Sequence, residues 1–222
     1  LPPKHYFPKL QEVLDKYDIS LIDDEVICGF GRTGNYWGYE TFDMKPASIT
    51  IAKALSSGYV PISAVIIPDH VYEPIARASN QQGIFGHGYT YSGHPVACAV
   101  ALKTIEIYEK TKLIDHVETV SKTFQKRLHD IRSIHIIGET RGVGLIGAIE
   151  IYENRELKQL FDPKFGAGIK VMKLCQRHGL LVRAIQDTIA ICPPLIISNK
   201  EVNKLFDILE YSLEIFVKKY FL

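Results

Sequence analysis

The chain has 222 residues, with 26 basic and 25 acidic side chains and a formal net charge of +1. Hydrophobic residues make up 46% and charged residues 23% of it, which is ordinary for a globular protein. Because the charge is balanced and no apolar run is long enough to span a bilayer, we expect neither nucleic acid nor a membrane as a partner.

The first part of the chain alternates helical and strand patterns, which is typical of an α/β fold. Residues 7–17 carry apolar side chains on one face and predict a helix. Residues 19–22 and 49–52 are short apolar runs that predict buried parallel strands, the first followed by acids and the second by a lysine. Two further helices are predicted over residues 95–109 and 113–131.

From about Ile134 the pattern changes and predicts a second, smaller α/β domain. Ser198 and Glu201 predict a capping box at the start of a C-terminal helix. The predicted elements are strands 134–137 and 145–152, a helix over 165–178, a hairpin-like pair at 180–184 and 188–192, and a helix from 199 to about 219.

Residues 142–147 satisfy the pattern GxGxxG, which occurs in dinucleotide-binding proteins. The residues that follow continue as a strand, whereas a dinucleotide fingerprint must open a helix. We therefore reject a nicotinamide-dependent oxidoreductase. Four cysteines lie far apart without a CxxC pair, which predicts reduced thiols, a cytoplasmic protein and no metal site.

Asp24 and Lys53 each follow a predicted buried strand. Ligands of open α/β sheets bind at the carboxyl ends of strands, so chemistry is expected at these two positions. An apolar environment favours the neutral amine of a lysine, which is a nucleophile for a carbonyl, and a carboxylate suits a protonated pyridine nitrogen. The alternative is a structural Asp24–Lys53 ion pair at a sheet edge, which these two residues alone do not exclude.

The neighbouring residues carry a family resemblance. Residues 21–34 (LIDDEVICGFGRTG) and 49–58 (ITIAKALSSG) closely resemble the signature of class III aminotransferases, and the resemblance extends over essentially the whole chain. It implies the fold type I architecture, an α/β fold in which residues 1–133 form the C-terminal part of a large domain that binds pyridoxal phosphate (PLP). That part has a mostly parallel sheet, and residues 134–222 form a small C-terminal α/β domain.

The resemblance also implies residue roles. Asp24 pairs with the pyridine nitrogen of PLP, Val26 packs against the ring, and Lys53 is the catalytic Schiff-base lysine that also moves the substrate proton. Glu25 is interpreted as structural.

Residues 86–95 (GHGYTYSGHP) precede a predicted helix. Their glycines, hydroxyls and backbone amides suit an anion, and an ordinary surface turn is the alternative. In the family, the threonine that matches Thr90 reaches the PLP phosphate of the neighbouring subunit. The resemblance therefore implies a homodimer with active sites at its interface.

Arg183 lies near the end of a predicted apolar strand, where an arginine needs an anion or must reach water. In similar enzymes of the ω-amino-acid:pyruvate branch, the matching arginine binds the substrate α-carboxylate, which a guanidinium fork suits. Ile27 stands where ornithine- and GABA-type relatives usually have glutamine. The implied function is transfer of an amino group from an ω-amino acid or amine to pyruvate. The alternative for Arg183 is an ordinary surface arginine that binds no substrate.

Family members are much longer than this chain, which matches their C-terminal half. The resemblance therefore implies a missing N-terminal half, supplied by a longer or split enzyme. The alternative is a catalytically inactive truncated fragment.

Overall fold

A computed structural model of the protein describes residues 1–221. The chain divides into two compact units, one of residues Pro2–Ile114 and one that begins at Asp115 and also takes in Leu1. The sequence predicted a domain boundary between residues 133 and 134, whereas the two compact units divide between Ile114 and Asp115. The assignment of the two parts to a large and a small domain stays a prediction.

The first unit has a small sheet and its helices. The helices are α1 (Tyr6–Lys16), α2 (Gly38–Thr41), α3 (Asp69–Gln82) and α4 (Pro95–Lys110), and the strands are β1 (Ile22–Asp24), β2 (Ser48–Ile51) and β3 (Ala64–Ile66). The strand order is β1-β2-β3, with β1 and β2 parallel and β3 antiparallel to β2. The parallel pairing expected of the two strands that precede Asp24 and Lys53 is confirmed.

The first predicted strand is displaced along the chain. Residues 19–22 were expected to form it and to be buried, but β1 begins at Ile22, and the side chains of Ile19 and Ile22 are 54% and 68% exposed. The reason lies in the end of α1. Asp18 is left-handed (φ 52°) and the N–H of Ile19 donates to the carbonyl of Leu14 (2.9 Å), a Schellman ending that engages Ile19 with the helix.

The second unit is built on a four-stranded sheet. Helix α5 (Leu113–Asp130) leads into it, followed by β4 (Ile137–Val143), β5 (Ile146–Ile151), α6 (Ala167–Arg177), β6 (Arg183–Ile185), β7 (Thr188–Ile191) and α7 (Asn199–Tyr220). The strand order is β4-β5-β7-β6 and every neighbouring pair is antiparallel. The helices, β5 and β7 match predicted elements to within two residues at each end. The strand expected over residues 134–137 is wrong, because the N–H of Ile137 donates to the Ile134 carbonyl (2.9 Å) in a turn and β4 begins only at Ile137.

The core of this unit lies between the sheet and its helices. The rings of Phe124 in α5 and Phe206 in α7 meet with centroids 5.3 Å apart, and both side chains are fully buried. The predicted capping box is confirmed, because the hydroxyl of Ser198 accepts the N–H of Glu201 (3.3 Å) and the Glu201 carboxylate accepts the N–H of Ser198 (2.9 Å).

The glycines of the GxGxxG pattern serve helix packing. Gly142 and Gly147 face each other in the β4–β5 hairpin. A Cβ on either glycine would lie 2.6 or 2.7 Å from the Cδ2 atom of Leu128, so the absence of side chains lets α5 approach the hairpin. No helix opens after this pattern, since β5 follows it. The structure agrees with rejecting a dinucleotide fingerprint here.

Candidate active site

Asp24 and Lys53 lie at the same edge of the first sheet. The parallel register places Asp24 opposite Thr50, and β2 ends at Ile51, two residues before Lys53. Adjacent parallel strands end at a common edge, so a carboxylate and a primary amine are presented there together. Both side chains are exposed in this chain.

The Asp24 carboxylate is oriented by two donors that meet the same oxygen. The N–H of Val26 donates to Oδ1 over 3.1 Å and the hydroxyl of Thr50 donates to it over 3.0 Å. The carboxylate is therefore held by one oxygen, and Oδ2 lies outside these two bonds. Val26, expected beside the cofactor ring, is half-buried and is the second residue after the end of β1.

Lys53 lies in a strained turn. Its φ is 43°, in the left-handed region that a residue with a side chain rarely adopts, and it begins a 3₁₀ turn over Lys53–Leu55. The apolar environment expected for Lys53 is not found, because the side chain lies past the buried residues of β2 and is exposed. Among the ion pairs of residues 1–221 there is none between Lys53 and Asp24. The structure therefore does not support the alternative of a structural Asp24–Lys53 pair.

The turn after Lys53 is tied to helix α4. The Tyr108 hydroxyl donates to the carbonyl of Ala54 (2.7 Å) and lies 2.6 Å from the Ser57 hydroxyl. The sequence analysis passed over both Tyr108 and Thr50. Alternation along β2 was the available signal for Thr50, because its neighbours Ile49 and Ile51 are the apolar, buried ones.

Glu25 has a structural position, as interpreted from the sequence. It is buried, and its two carboxylate oxygens accept the N–H groups of Gly38 and Tyr39, each over 2.9 Å, at the start of α2. Burial raises the pKa of Glu25, against the opposing effect of these two backbone donors. Glu25 therefore fixes the segment that follows Asp24.

Thr90 lies in the exposed segment between α3 and α4. The turn around it is held locally, since the Ser92 hydroxyl accepts the N–H of Tyr89 over 2.9 Å. Among the described residues, no hydrogen bond or ring contact joins Thr90 to Asp24 or Lys53. Its predicted contact with a neighbouring subunit stays a prediction.

Arg183 lies in the second unit, and its place in the strand differs from the expected one. It begins β6 rather than coming near the end of a strand over residues 180–184. Gly179 is left-handed (φ 84°) and the N–H of Leu180 donates to the Cys175 carbonyl (2.9 Å), so residue 180 completes the end of α6. The Arg183 side chain is exposed and makes no ion pair within the described part of the chain.

The residues at the sheet edge fit a pyridoxal cofactor in two respects. Such a cofactor needs a carboxylate for its ring nitrogen and an amine for its aldehyde, and both are present on neighbouring strand ends. Within residues 1–221, no group of three or more His, Cys, Asp or Glu side chains is arranged to hold a metal ion. The same residues include no helix long and apolar enough to cross a membrane.

Comparison with known proteins assigns the family. The sequence profile described as "Aminotransferase class-III" matches residues 1–213. The chain belongs to the class III aminotransferases. This family uses PLP as its cofactor, so the family assignment and the chemistry of the sheet edge agree.

Several similar proteins are plant γ-aminobutyrate transaminases. Gamma aminobutyrate transaminase 3, chloroplastic, of Solanum lycopersicum is 47% identical over 204 residues, which cover 92% of this chain and 39% of that protein. A probable gamma-aminobutyrate transaminase 2, mitochondrial, of Oryza sativa is 44% identical over 93% of this chain and 42% of its own length. The chain thus spans less than half the length of these relatives. The contrast drawn at Ile27 with GABA-type relatives stays a prediction.

Solved structures of similar fold are ω-transaminases and related enzymes. A thermostable ω-transaminase variant from Pseudomonas jessenii has a TM-score of 0.94 and 40% identity, covering 98% of this chain and 48% of that one. The PMP-bound aminotransferase of Vibrio fluvialis has a TM-score of 0.93 and 37% identity, with the same coverage of 98% and 48%. A transaminase with L-alanine matches with a TM-score of 0.93 and 46% identity over 96% of this chain and 50% of that one. The expected PLP-transferase fold is confirmed.

Proposed function

We propose that this chain supplies the acid and the amine of a PLP-dependent aminotransferase that moves an amino group from an ω-amino acid or amine to pyruvate. The observation that carries the proposal is the placement of Asp24 and Lys53 at neighbouring strand ends, with the Asp24 carboxylate oriented by Thr50 and Val26. Membership of the class III family supports the same reaction class.

Each side chain has a task that suits its chemistry. PLP, when bound, supplies the electron sink that stabilises charge on the carbon next to the amino group. Asp24 would keep the ring nitrogen protonated, and Val26 would contact the ring. The Nζ atom of Lys53 would hold the cofactor through its aldehyde, and as a free amine it would take the proton from the carbon that bears the amino group.

The substrate class rests on Arg183 and on the relatives. An exposed guanidinium without an ion-pair partner in the described chain is suited to a substrate carboxylate. γ-Aminobutyrate, named for the plant relatives, is an ω-amino acid. L-Alanine, present with one similar transaminase, is the amine counterpart of pyruvate, which favours pyruvate as acceptor.

The quaternary arrangement and the cellular compartment are parts of the same proposal. We expect a homodimer in which Thr90 of one subunit reaches the phosphate bound by the other. The cytoplasmic location expected from the sequence stays a prediction, since the relatives' names include chloroplastic and mitochondrial proteins. The rest of the enzyme, which this chain does not span, would complete the cofactor pocket.

The test is to locate the lysine that carries the cofactor. Full-length protein containing this chain is incubated with PLP, reduced with borohydride and mapped by peptide mass spectrometry. We expect the label on Lys53, and we expect Lys53→Ala to lose both label and turnover, whereas Lys45→Ala keeps both. A label on another lysine contradicts the assignment, and no label at all contradicts the proposed function.

A further inference from the structure

Tyr108 is a buried tyrosine whose hydroxyl reaches the turn that begins at Lys53. It lies on α4, its side chain is 8% exposed, and its ring contacts Phe30 with centroids 6.2 Å apart. Ring packing alone would be satisfied by phenylalanine. The hydroxyl therefore has a separate role in the bonds that it makes with Ala54 and Ser57.

The donors and acceptors of this group are determined by counting protons. The Tyr108 hydroxyl has one proton, which it donates to the Ala54 carbonyl over 2.7 Å. The Ser57 hydroxyl, 2.6 Å away, must therefore donate to the Tyr108 oxygen. Burial raises the pKa of Tyr108, against the lowering effect of the Ser57 bond, so the phenol stays protonated and remains a donor at neutral pH.

The turn held by these bonds is strained at both ends. Lys53 has a φ of 43° and Ser57 a φ of 50°, and left-handed backbone is unfavourable for residues with side chains. Within the turn, the N–H of Ser57 donates to the Ala54 carbonyl over 3.1 Å, the same carbonyl that accepts from Tyr108. The tyrosine thus adds a second donor to the carbonyl that closes the strained turn, and this donor ties the turn to α4.

We propose that Tyr108 is a positioning residue, which holds the turn of Lys53 so that the lysine amine is aimed at the carbonyl group of the cofactor. The inference rests on the proposed role of Lys53 and goes beyond it. Without the hydroxyl, the Ala54 carbonyl loses one of its two donors and the turn has more conformations available. The amine is then in a productive orientation for a smaller fraction of the time.

The test measures how fast Lys53 becomes linked to PLP. Apoenzyme of the full-length protein is mixed with PLP, samples are reduced with borohydride over time, and the rate is expressed per Lys53 finally labelled. Misfolded protein therefore does not contribute. We expect Tyr108→Phe to slow linkage about fivefold, the ratio for loss of one buried neutral hydrogen bond. Ser57→Ala should slow it about twofold, and the double variant no more than Tyr108→Phe, because the bonds form one group.

The matched control is Thr104→Val on the same helix. Thr104 is also buried, but its hydroxyl donates to the Val100 carbonyl (2.8 Å) within α4 rather than to the Lys53 turn. We expect this variant to link PLP at the rate of the unaltered protein. If it slows linkage as much as Tyr108→Phe does, the effect belongs to the helix in general and the proposal is wrong.

The remaining outcomes separate this inference from the proposed function. Labelling of Lys53 at an unchanged rate in Tyr108→Phe refutes the positioning role and leaves the role of Lys53 intact. A lower melting temperature with an unchanged rate per labelled site also refutes it, since it assigns Tyr108 to stability alone. If Tyr108→Phe does not fold, the rate of linkage in Ser57→Ala is the test: a slower rate supports the proposal and an unchanged rate refutes it. Absence of label on Lys53 in the unaltered protein overturns both the proposed function and the inference.

Discussion

Among single residues, Asp24 shows how the strands prepare a carboxylate for its task. Two donors meet Oδ1: the backbone N–H of Val26, in the turn after β1, and the hydroxyl of Thr50 in β2. A carboxylate that is fixed by one oxygen loses little rotational freedom when the other oxygen binds a ligand. The parallel pairing of Asp24 with Thr50 is therefore a functional feature of the sheet as well as a structural one.

Asp24→Asn should impair catalysis far more than folding. An asparagine oxygen can still accept from Val26 and Thr50, but the charge that keeps the ring nitrogen protonated is lost. We expect a loss of about 3 kcal/mol of transition-state stabilisation, roughly a hundredfold in kcat. Steady-state kinetics and a melting curve of the full-length protein measure the two effects. Asp23→Asn is the neighbouring control, and a near-normal rate in Asp24→Asn contradicts the pairing.

Arg183→Ala should discriminate between substrates. Because only carboxylate-bearing substrates have a group for the guanidinium to bind, the KM for pyruvate should rise about tenfold while the reaction with a simple amine donor is spared. Arg183→Lys keeps the positive charge but loses the two-pronged guanidinium, so its KM for pyruvate should lie between those of the unaltered protein and Arg183→Ala. Equal losses for both substrate types point to a structural arginine.

The sequence located the principal site residues but not their supporting residues. Asp24 and Lys53 were predictable because strand ends and a family signature coincide there. Thr50 reaches Asp24 through the register of two strands, and Tyr108 reaches the Lys53 turn through the packing of α4. Both contacts join segments that are distant in sequence. A tyrosine such as Tyr108 looks like any core residue in sequence until the partner of its hydroxyl, 54 positions away at Ala54, is seen.

Helix endings determined where strands began. After α1 and again after α6, a left-handed residue and a 6→1 backbone bond engage the first apolar residues of the predicted strands, Ile19 and Leu180. An apolar run alone does not reveal this competition between helix end and strand. The start of α7 was predictable, because its capping box is made by residues three positions apart in the sequence.

Gly168→Ala should disturb the hairpin that carries Arg183. A Cβ at Gly168 would lie 2.0 Å from the backbone oxygen of Gln186, so α6 or the β6–β7 turn must move. The adjacent Asp187 is buried and accepts the N–H of Phe161 (3.0 Å), which leaves the turn little room. We expect a melting temperature lower by about 3 °C and a raised KM for pyruvate.

The control for Gly168→Ala is Lys173→Ala, an exposed position on the same helix. It should leave both the melting temperature and the KM unchanged. If Gly168→Ala changes only the melting temperature, the hairpin tolerates the shift and Arg183 keeps its place.

At the scale of the whole molecule, the first unit exposes apolar side chains on its strands. All residues of β3 are exposed, and so is Ile22 in β1, although apolar strand residues normally pack against another layer. Asp24 and Lys53 are exposed at the same sheet. The chain spans about half the length of similar transaminase structures, which is consistent with faces that the rest of such an enzyme would cover.

The last prediction concerns these 222 residues made alone. With the acid and the amine both facing water, their interactions with a cofactor are screened, so PLP should be held weakly and amino transfer from β-alanine to pyruvate should be undetectable. The uncovered strands should also make the chain poorly soluble. Bound PLP and alanine formation are measured on the purified chain, beside the same chain supplied in cis or in trans with the part of a class III enzyme that it does not span. Stoichiometric cofactor and steady turnover by the chain alone would show that its own residues complete the pocket.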